Sequence, residues 1–135
     1  MKAVFADTSY YLALVNSLDR FHSATCRWTS SFVGTSVTTA WVVSELANAM
    51  SQACNRPFFL SLLHDLRTDG RVTIVPPTKE LYDRGLDLYA HRLDKDWSLT
   101  DCISFLVMED HRLQDVATLD RHFAQAGFNI LISSP

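Results

Sequence analysis

The sequence predicts an α/β protein: a three-layer α/β/α sandwich around a central, mostly parallel sheet of four to five strands. Three observations carry this. Short apolar or β-branched runs recur from Lys2 to Ile132, each stopped by turn-forming residues. The stretches between them repeat apolar residues at helical spacing. The two kinds alternate along the chain, which builds parallel strands joined by crossover helices. The 135 residues suggest one domain, 1–135, large enough to bury a core.

Each element has its own signal. Lys2-Ala3-Val4-Phe5-Ala6 is an apolar run that stops at Asp7-Thr8-Ser9, as a buried strand ending in a turn does. Tyr10 to Val15 reads as a short helix stopped by Asn16-Ser17. Asp19 suits the N-cap of a second helix with Phe21, Ala24, Trp28 and Phe32 on one face. Gly34 closes that helix, and Thr35 to Thr38 is a β-branched second strand. From Ala40 a helix runs to Ala49. Pro57 suits the first turn of the next, which turns Phe59, Leu62, Leu63 and Leu66 inward and ends near Asp69-Gly70. Val72 to Val75 is the third strand, closed by Pro76-Pro77. A helix from about Thr78 carries Tyr82, Leu86, Tyr89 and Leu93 on one stripe. The central helix follows Ser98, Val116-Ala117-Thr118 is a fourth strand, and a short helix after Asp120 closes at Gly127. Asn129 to Ile132 is the last strand.

The central helix, Leu99 to Met108, is apolar on nearly every side, yet carries Asp101 near its start. A carboxylate there costs several kcal/mol unless it is paired or binds a cation. One turn on stand Ser104 and Phe105, and the nearest basic residue in sequence is Lys95. Three more acids join it: Asp7 and Asp120, at or just past strand carboxyl ends where sites form in such sheets, and Glu45 inside an apolar helix. Each has a structural reading as well. Asp7 and Asp120 suit helix caps, Ser98 and Asp101 suit a capping box, and Glu45 suits a buried salt bridge. Taken jointly, four carboxylates in one pocket repel and raise one another's pKa. A hard divalent cation removes that conflict. Oxygen ligands without a Cys or His pattern favour Mg²⁺ or Mn²⁺ over Zn²⁺, and such a site supports phosphodiester hydrolysis.

Other chemistries find little support. Cys26, Cys54 and Cys102 are odd in number and form no CxxC pair, so neither zinc nor a disulfide framework is signalled; a reducing cytoplasm fits. The first residues reach Asp7 too soon for a signal peptide, and no apolar run is long enough to span a membrane. The five histidines show no HExxH-like spacing and read as surface or helix-end residues. There is no phosphate-binding glycine loop and no GxSxG elbow. A phosphotransfer role for Asp7 wants a second acid nearby, and Ser9 stands two residues on.

The motifs Val4-Phe5-Ala6-Asp7-Thr8-Ser9, Val43-Ser44-Glu45-Leu46, Ser98-Leu99-Thr100-Asp101-Cys102 and Ala117-Thr118-Leu119-Asp120-Arg121-His122-Phe123, in this order and spacing, resemble the PIN-domain nucleases. Asp19 to Ala24 adds a loop-helix similar to one in the VapC toxins of bacterial toxin-antitoxin pairs. The resemblance covers nearly the whole chain. It implies a single PIN domain over 1–135 and a Mg²⁺- or Mn²⁺-dependent endoribonuclease. Asp7, Glu45, Asp101 and Asp120 would be the metal-holding, catalytic quartet, supported by Thr8 and Thr118 and with Asp96 as an additional acid. It also implies an RNA substrate (tRNA, rRNA or mRNA), a cognate antitoxin protein and a homodimer. The alternative is a PIN-like interaction module that does not cut, which the net charge of −3 keeps open, since RNA binding wants positive surface. Lys95, Arg112, Arg121, Arg20 and Arg27 are the candidates for a basic rim, each equally suited to ordinary solvation. Trp28 and Trp41 suit the core, and Trp97, in the loop before Asp101, is the candidate for base stacking.

Overall fold

The computed structural model describes residues 2–135. Its sheet has five strands: β1 (Lys2–Ala6), β2 (Gly34–Thr39), β3 (Val72–Val75), β4 (Asp115–Ala117) and β5 (Asn129–Ile130). They lie in the order β3-β2-β1-β4-β5, and every pairing is parallel. The helices are α1 (Thr8–Val15), α2 (His22–Ser31), α3 (Ala40–Ala49), α4 (Arg56–Thr68), α5 (Lys79–His91), α6 (Leu99–Asp110) and α7 (His122–Gln125). The order reverses at β1 and β4, so the carboxyl ends of these two strands flank the crevice where this class of sheet puts its sites.

Period-two alternation along β1 divides the core. Val4 and Ala6, with Gly34 and Ser36 on β2, look toward α1, α2 and α4, where Tyr10, Trp28, Leu62 and Leu66 border an apolar cavity of about 220 Å³. The cavity's two charged residues, Asp69 and Arg71, neutralise each other at 3.2 Å. Phe5 points to the other face, where its ring meets Phe123 of α7, which in turn meets Phe105 of α6. The all-round apolar pattern of α6 corresponds to burial: Asp101, Cys102, Ile103, Ser104, Phe105, Val107 and Met108 are all inside.

Several boundaries differ from the sequence reading. Gly34 opens β2 instead of closing a helix. A Cβ there would sit 2.1 Å from the Lys2 carbonyl oxygen, so the residue is glycine because β1 passes against it. Asp19 does not cap α2; the helix starts at His22, and the Asp19 carboxylate accepts instead from the Phe21 N–H in the preceding turn. The stripe Tyr82, Leu86 and Tyr89 exists on α5, with Leu93 just past its end, but stays exposed. The neighbouring face, Leu81 and Gly85, packs on α6, because Gly85 lets Ile103 approach within 2.4 Å of where a Cβ would be. A hydrophobic period identifies a face but not its cover, and the closest-packing residue here has no side chain.

Candidate active site

Four elements converge beyond the carboxyl ends of β1 and β4, and they enclose a cleft of about 310 Å³. It is lined by Asp7, Thr8, Ser9, Glu45, Asp101 and Asp120, together with Leu12, Asp96, Ser98 and His122. All four acids of the sequence quartet meet here, brought from positions up to 113 residues apart.

Asp7 follows β1 directly. It occupies the N-cap position of α1, but its side chain makes no capping bond. Its Oδ2 instead accepts from the Thr118 hydroxyl at 2.8 Å, with Ser9 Oγ at 3.3 Å. The purely structural reading of this residue therefore fails. Burial pushes its carboxyl up to about 6; the Thr118 hydrogen bond pulls the other way, and the charges of Asp101 and Asp120 add to the rise.

Glu45 projects from the middle of α3. No Lys or Arg pairs with it among the described residues, so the buried salt bridge is absent; its Oε1 accepts from the Thr8 hydroxyl at 2.5 Å. Asp101 does form the capping box: Ser98 Oγ accepts from the Asp101 N–H at 3.0 Å, and Asp101 Oδ2 accepts from the Ser98 N–H at 3.1 Å. That reading is correct and incomplete, because the same carboxylate faces the cleft. Burial raises its pKa, with Asp120 adding to the rise. Asp120 caps in part too: its Oδ1 accepts from the His122 N–H at 2.9 Å at the start of α7. Thr118 Oγ1 also accepts from the Asp120 N–H at 3.0 Å, so one hydroxyl ties the ends of β1 and β4 together. Asp96 is exposed on the rim.

His122 went unsingled in the sequence. It is indeed at a helix end, but its Nδ1 lies 3.2 Å from both Asp101 Oδ2 and Asp120 Oδ1. One ligand atom from each of these three residues falls within 4.8 Å of the others. A partial signal was present: an Asp just past a strand commonly accepts from the backbone N–H two residues on, which here holds His122 close to Asp120.

The basic rim is thinner than the sequence allowed. Arg20, Arg27, Arg112 and Arg121 do not line the cleft. Lys95 borders a neighbouring groove. Trp97 is not available for stacking: it is 7% exposed, its Nε1–H donates to Gln125 at 3.2 Å, and its ring packs edge-on against Phe105.

The donor set fits a hard divalent ion. Carboxylate oxygens dominate, none is neutralised by Lys or Arg among the described residues, and one ligand atom each from Asp101, Asp120 and His122 comes within 4.8 Å of the others.

A family model described as PIN domain matches residues 4–129. The 23S rRNA-specific endonuclease VapC20 of Mycobacterium tuberculosis is 28% identical over 126 residues, which span 93% of this chain and 95% of that protein. The crystal structure of VapC20, described as a sarcin-ricin loop cleaving toxin, superposes with a TM-score of 0.84 at 24% identity, over 93% of this chain and 95% of that one. FitAcB from Neisseria gonorrhoeae matches with a TM-score of 0.65 at 20% identity, over 94% of this chain and 95% of that one. The two structural likenesses bear on the fold.

Proposed function

The chain belongs to the PIN-domain family, and on that premise we propose that it is a metal-dependent endoribonuclease, the toxin of a toxin-antitoxin pair. One observation carries the reading: four carboxylates share a cleft with no lysine or arginine among the described residues to neutralise them. Nothing in a purely structural role rewards that arrangement, whose mutual repulsion a divalent cation removes.

Asp7, Glu45, Asp101 and Asp120 are the residues that would hold Mg²⁺ or Mn²⁺. When bound, such an ion supplies Lewis-acid stabilisation at a phosphodiester and lowers the pKa of water at the site. The chain's own groups do the positioning. Thr118 fixes the Asp7 carboxylate, Thr8 fixes Glu45, and the Ser98 backbone fixes Asp101. His122 lies between Asp101 and Asp120 and sets their spacing. Asp96, on the rim, is the fifth acid and the one best exposed to orient water from solvent.

The substrate is RNA, as the name of the similar VapC20 suggests. Two exposed apolar bands support protein partners, an antitoxin and a second copy of the chain. One is the α5 stripe; the other, with Val15, Leu18 and Phe58, borders a groove of about 350 Å³ between α1 and α4.

The test is direct. Partner-free protein is incubated with structured RNAs and Mg²⁺ or Mn²⁺, beside Asp7→Asn and Glu45→Gln. Cleavage by the wild type that both variants lose is the expected result. Equal cleavage by all three would remove the quartet from the mechanism, and no cleavage by any leaves the interaction module as the better reading.

A further inference from the structure

A second groove, of about 400 Å³, adjoins the acidic cleft and shares Asp96 and Ser98 with it as a dividing wall. Its floor is built by an unusual stack. Arg92 lies over the Trp97 ring with the guanidinium carbon 4.7 Å from the centroid. The guanidinium is held there by a forked pair to Asp94, Nε to Oδ1 at 2.9 Å and Nη2 to Oδ2 at 3.0 Å. Trp97 is buried beneath, while 39% of the Arg92 side chain stays exposed. Lys95 borders the same groove and forms no ion pair among the described residues. Tyr89, about half exposed, forms the far wall.

We infer that this groove is a nucleotide subsite. An unpaired base next to the cleaved phosphate stacks on the outer face of the Arg92 guanidinium, and Lys95 meets the adjoining phosphate. The inference rests on the ribonuclease reading and adds to it where the strand leaves the acids. Three features favour a nucleotide over other occupants. The groove is continuous with the cleft across the Asp96–Ser98 wall. It carries Lys95, which forms no ion pair among the described residues, beside an otherwise acidic site where a polyanion needs a cation. And its floor is a planar cation already fixed on an aromatic ring, with one π-face free, a surface on which splayed-out RNA bases stack. The aromatic ring of the loop thus serves through Arg92 and not by contact with the base. Specificity at this subsite is low by hydrogen bonding, since stacking accepts every base.

The experiment uses the whole protein and a fluorescein-labelled, mixed-sequence, 12-nucleotide single-stranded RNA, with Ca²⁺ replacing Mg²⁺ or Mn²⁺. Anisotropy gives affinity against salt. Abasic nucleotides are placed at each position in turn. In the wild type, one abasic position weakens binding about tenfold. Arg92→Lys, which keeps the charge but not the plane, weakens the parent RNA by a similar factor and abolishes the penalty at that position. Lys95→Gln lowers the slope of log affinity against log salt by about 0.7. Thermal melting checks that both variants fold. If the wild type binds and cuts RNA while both variants bind as tightly and with the same slope, the subsite is wrong and the ribonuclease reading stands. If the wild type neither binds nor cuts any RNA, both fall. If Arg92→Lys or Leu93→Glu instead reduces the molar mass seen by light scattering, the groove is a protein contact and the subsite is overturned.

Discussion

The two ends of strand β4 treat an aspartate in opposite ways. At its amino end Asp115 meets Lys2 at 3.4 Å and accepts from the Asn129 amide at 3.0 Å. Three residues past its carboxyl end, Asp120 meets Asp101 and Asp7 across the cleft and has only His122 for company. Elsewhere on the surface, Asp69, Asp83, Asp94 and Asp110 each hold a basic partner as well. The protein pairs acids readily where pairing suits it. Asp65, Glu80, Asp87 and Glu109 also lack an ion pair among the described residues, but they are exposed; at the carboxyl end of the sheet the unpaired acids converge, and Asp7 and Asp101 are buried. An exposed pair such as Lys2–Asp115 adds at most about 1 kcal/mol, whereas an unpaired carboxylate as buried as Asp7, across the cleft from Asp120, costs stability that only function repays.

The sharpest way to break this contrast is by activity. Asp7→Asn should lower RNA cleavage by about a hundredfold or more, the size expected when a group acting at the developing charge is lost. Asp115→Asn should change it less than about twofold. Gel-resolved initial rates on one RNA compare the two ends directly, and similar losses in both would erase the distinction.

A smaller effect probes the support of the acids. Thr118→Val removes the hydroxyl that ties Asp7 to the Asp120 backbone while nearly keeping the shape. Metal affinity or activity should fall about 10- to 100-fold, read by Mn²⁺ titration. An unchanged affinity would mean that the carboxylates need no such brace.

Stability should move the other way. Asp7→Asn should stabilise the metal-free fold by about 1 to 2 kcal/mol, while Asp115→Asn should cost at most about 0.5 kcal/mol. The pH dependence follows from the same group. Asp7 sits at about 6 in the fold against 3.8 in the unfolded chain. The folded state therefore binds the extra proton between those values. Its contribution to metal-free stability is complete below about pH 4 and is lost as the pH rises through 6. Urea melts at pH 4.5 and 7 should show that loss in the wild type and a smaller one in Asp7→Asn, where the raised carboxyl of Asp101 remains. Bound metal opposes this: its affinity should weaken as the pH falls below about 6, because the ion competes with the proton.

Much of this contrast was legible in the residues. Asp7 and Asp120 follow apolar runs whose ends are readable, and Asp101 and Glu45 stand out as charges on apolar helices. Convergence followed from the parallel alternation of elements. What could not be read was decided by tertiary packing. Trp97 sits in a polar loop, yet Phe105 of α6 and Gln125 of α7 cover it. The α5 stripe looked like a core face until Gly85 made the adjacent face the closer fit. His122 has Asp120 two residues before it in sequence, but its other neighbour, Asp101, reaches it from α6.

The central claim is that these acids tolerate one another only around a divalent ion. Calorimetric titration of Mn²⁺ into the partner-free protein, wild type beside Asp101→Asn, tests it most directly. Saturable binding by the wild type, weakened at least tenfold in the variant, is the predicted result. The same isotherm for both proteins, or no binding to either, would contradict it.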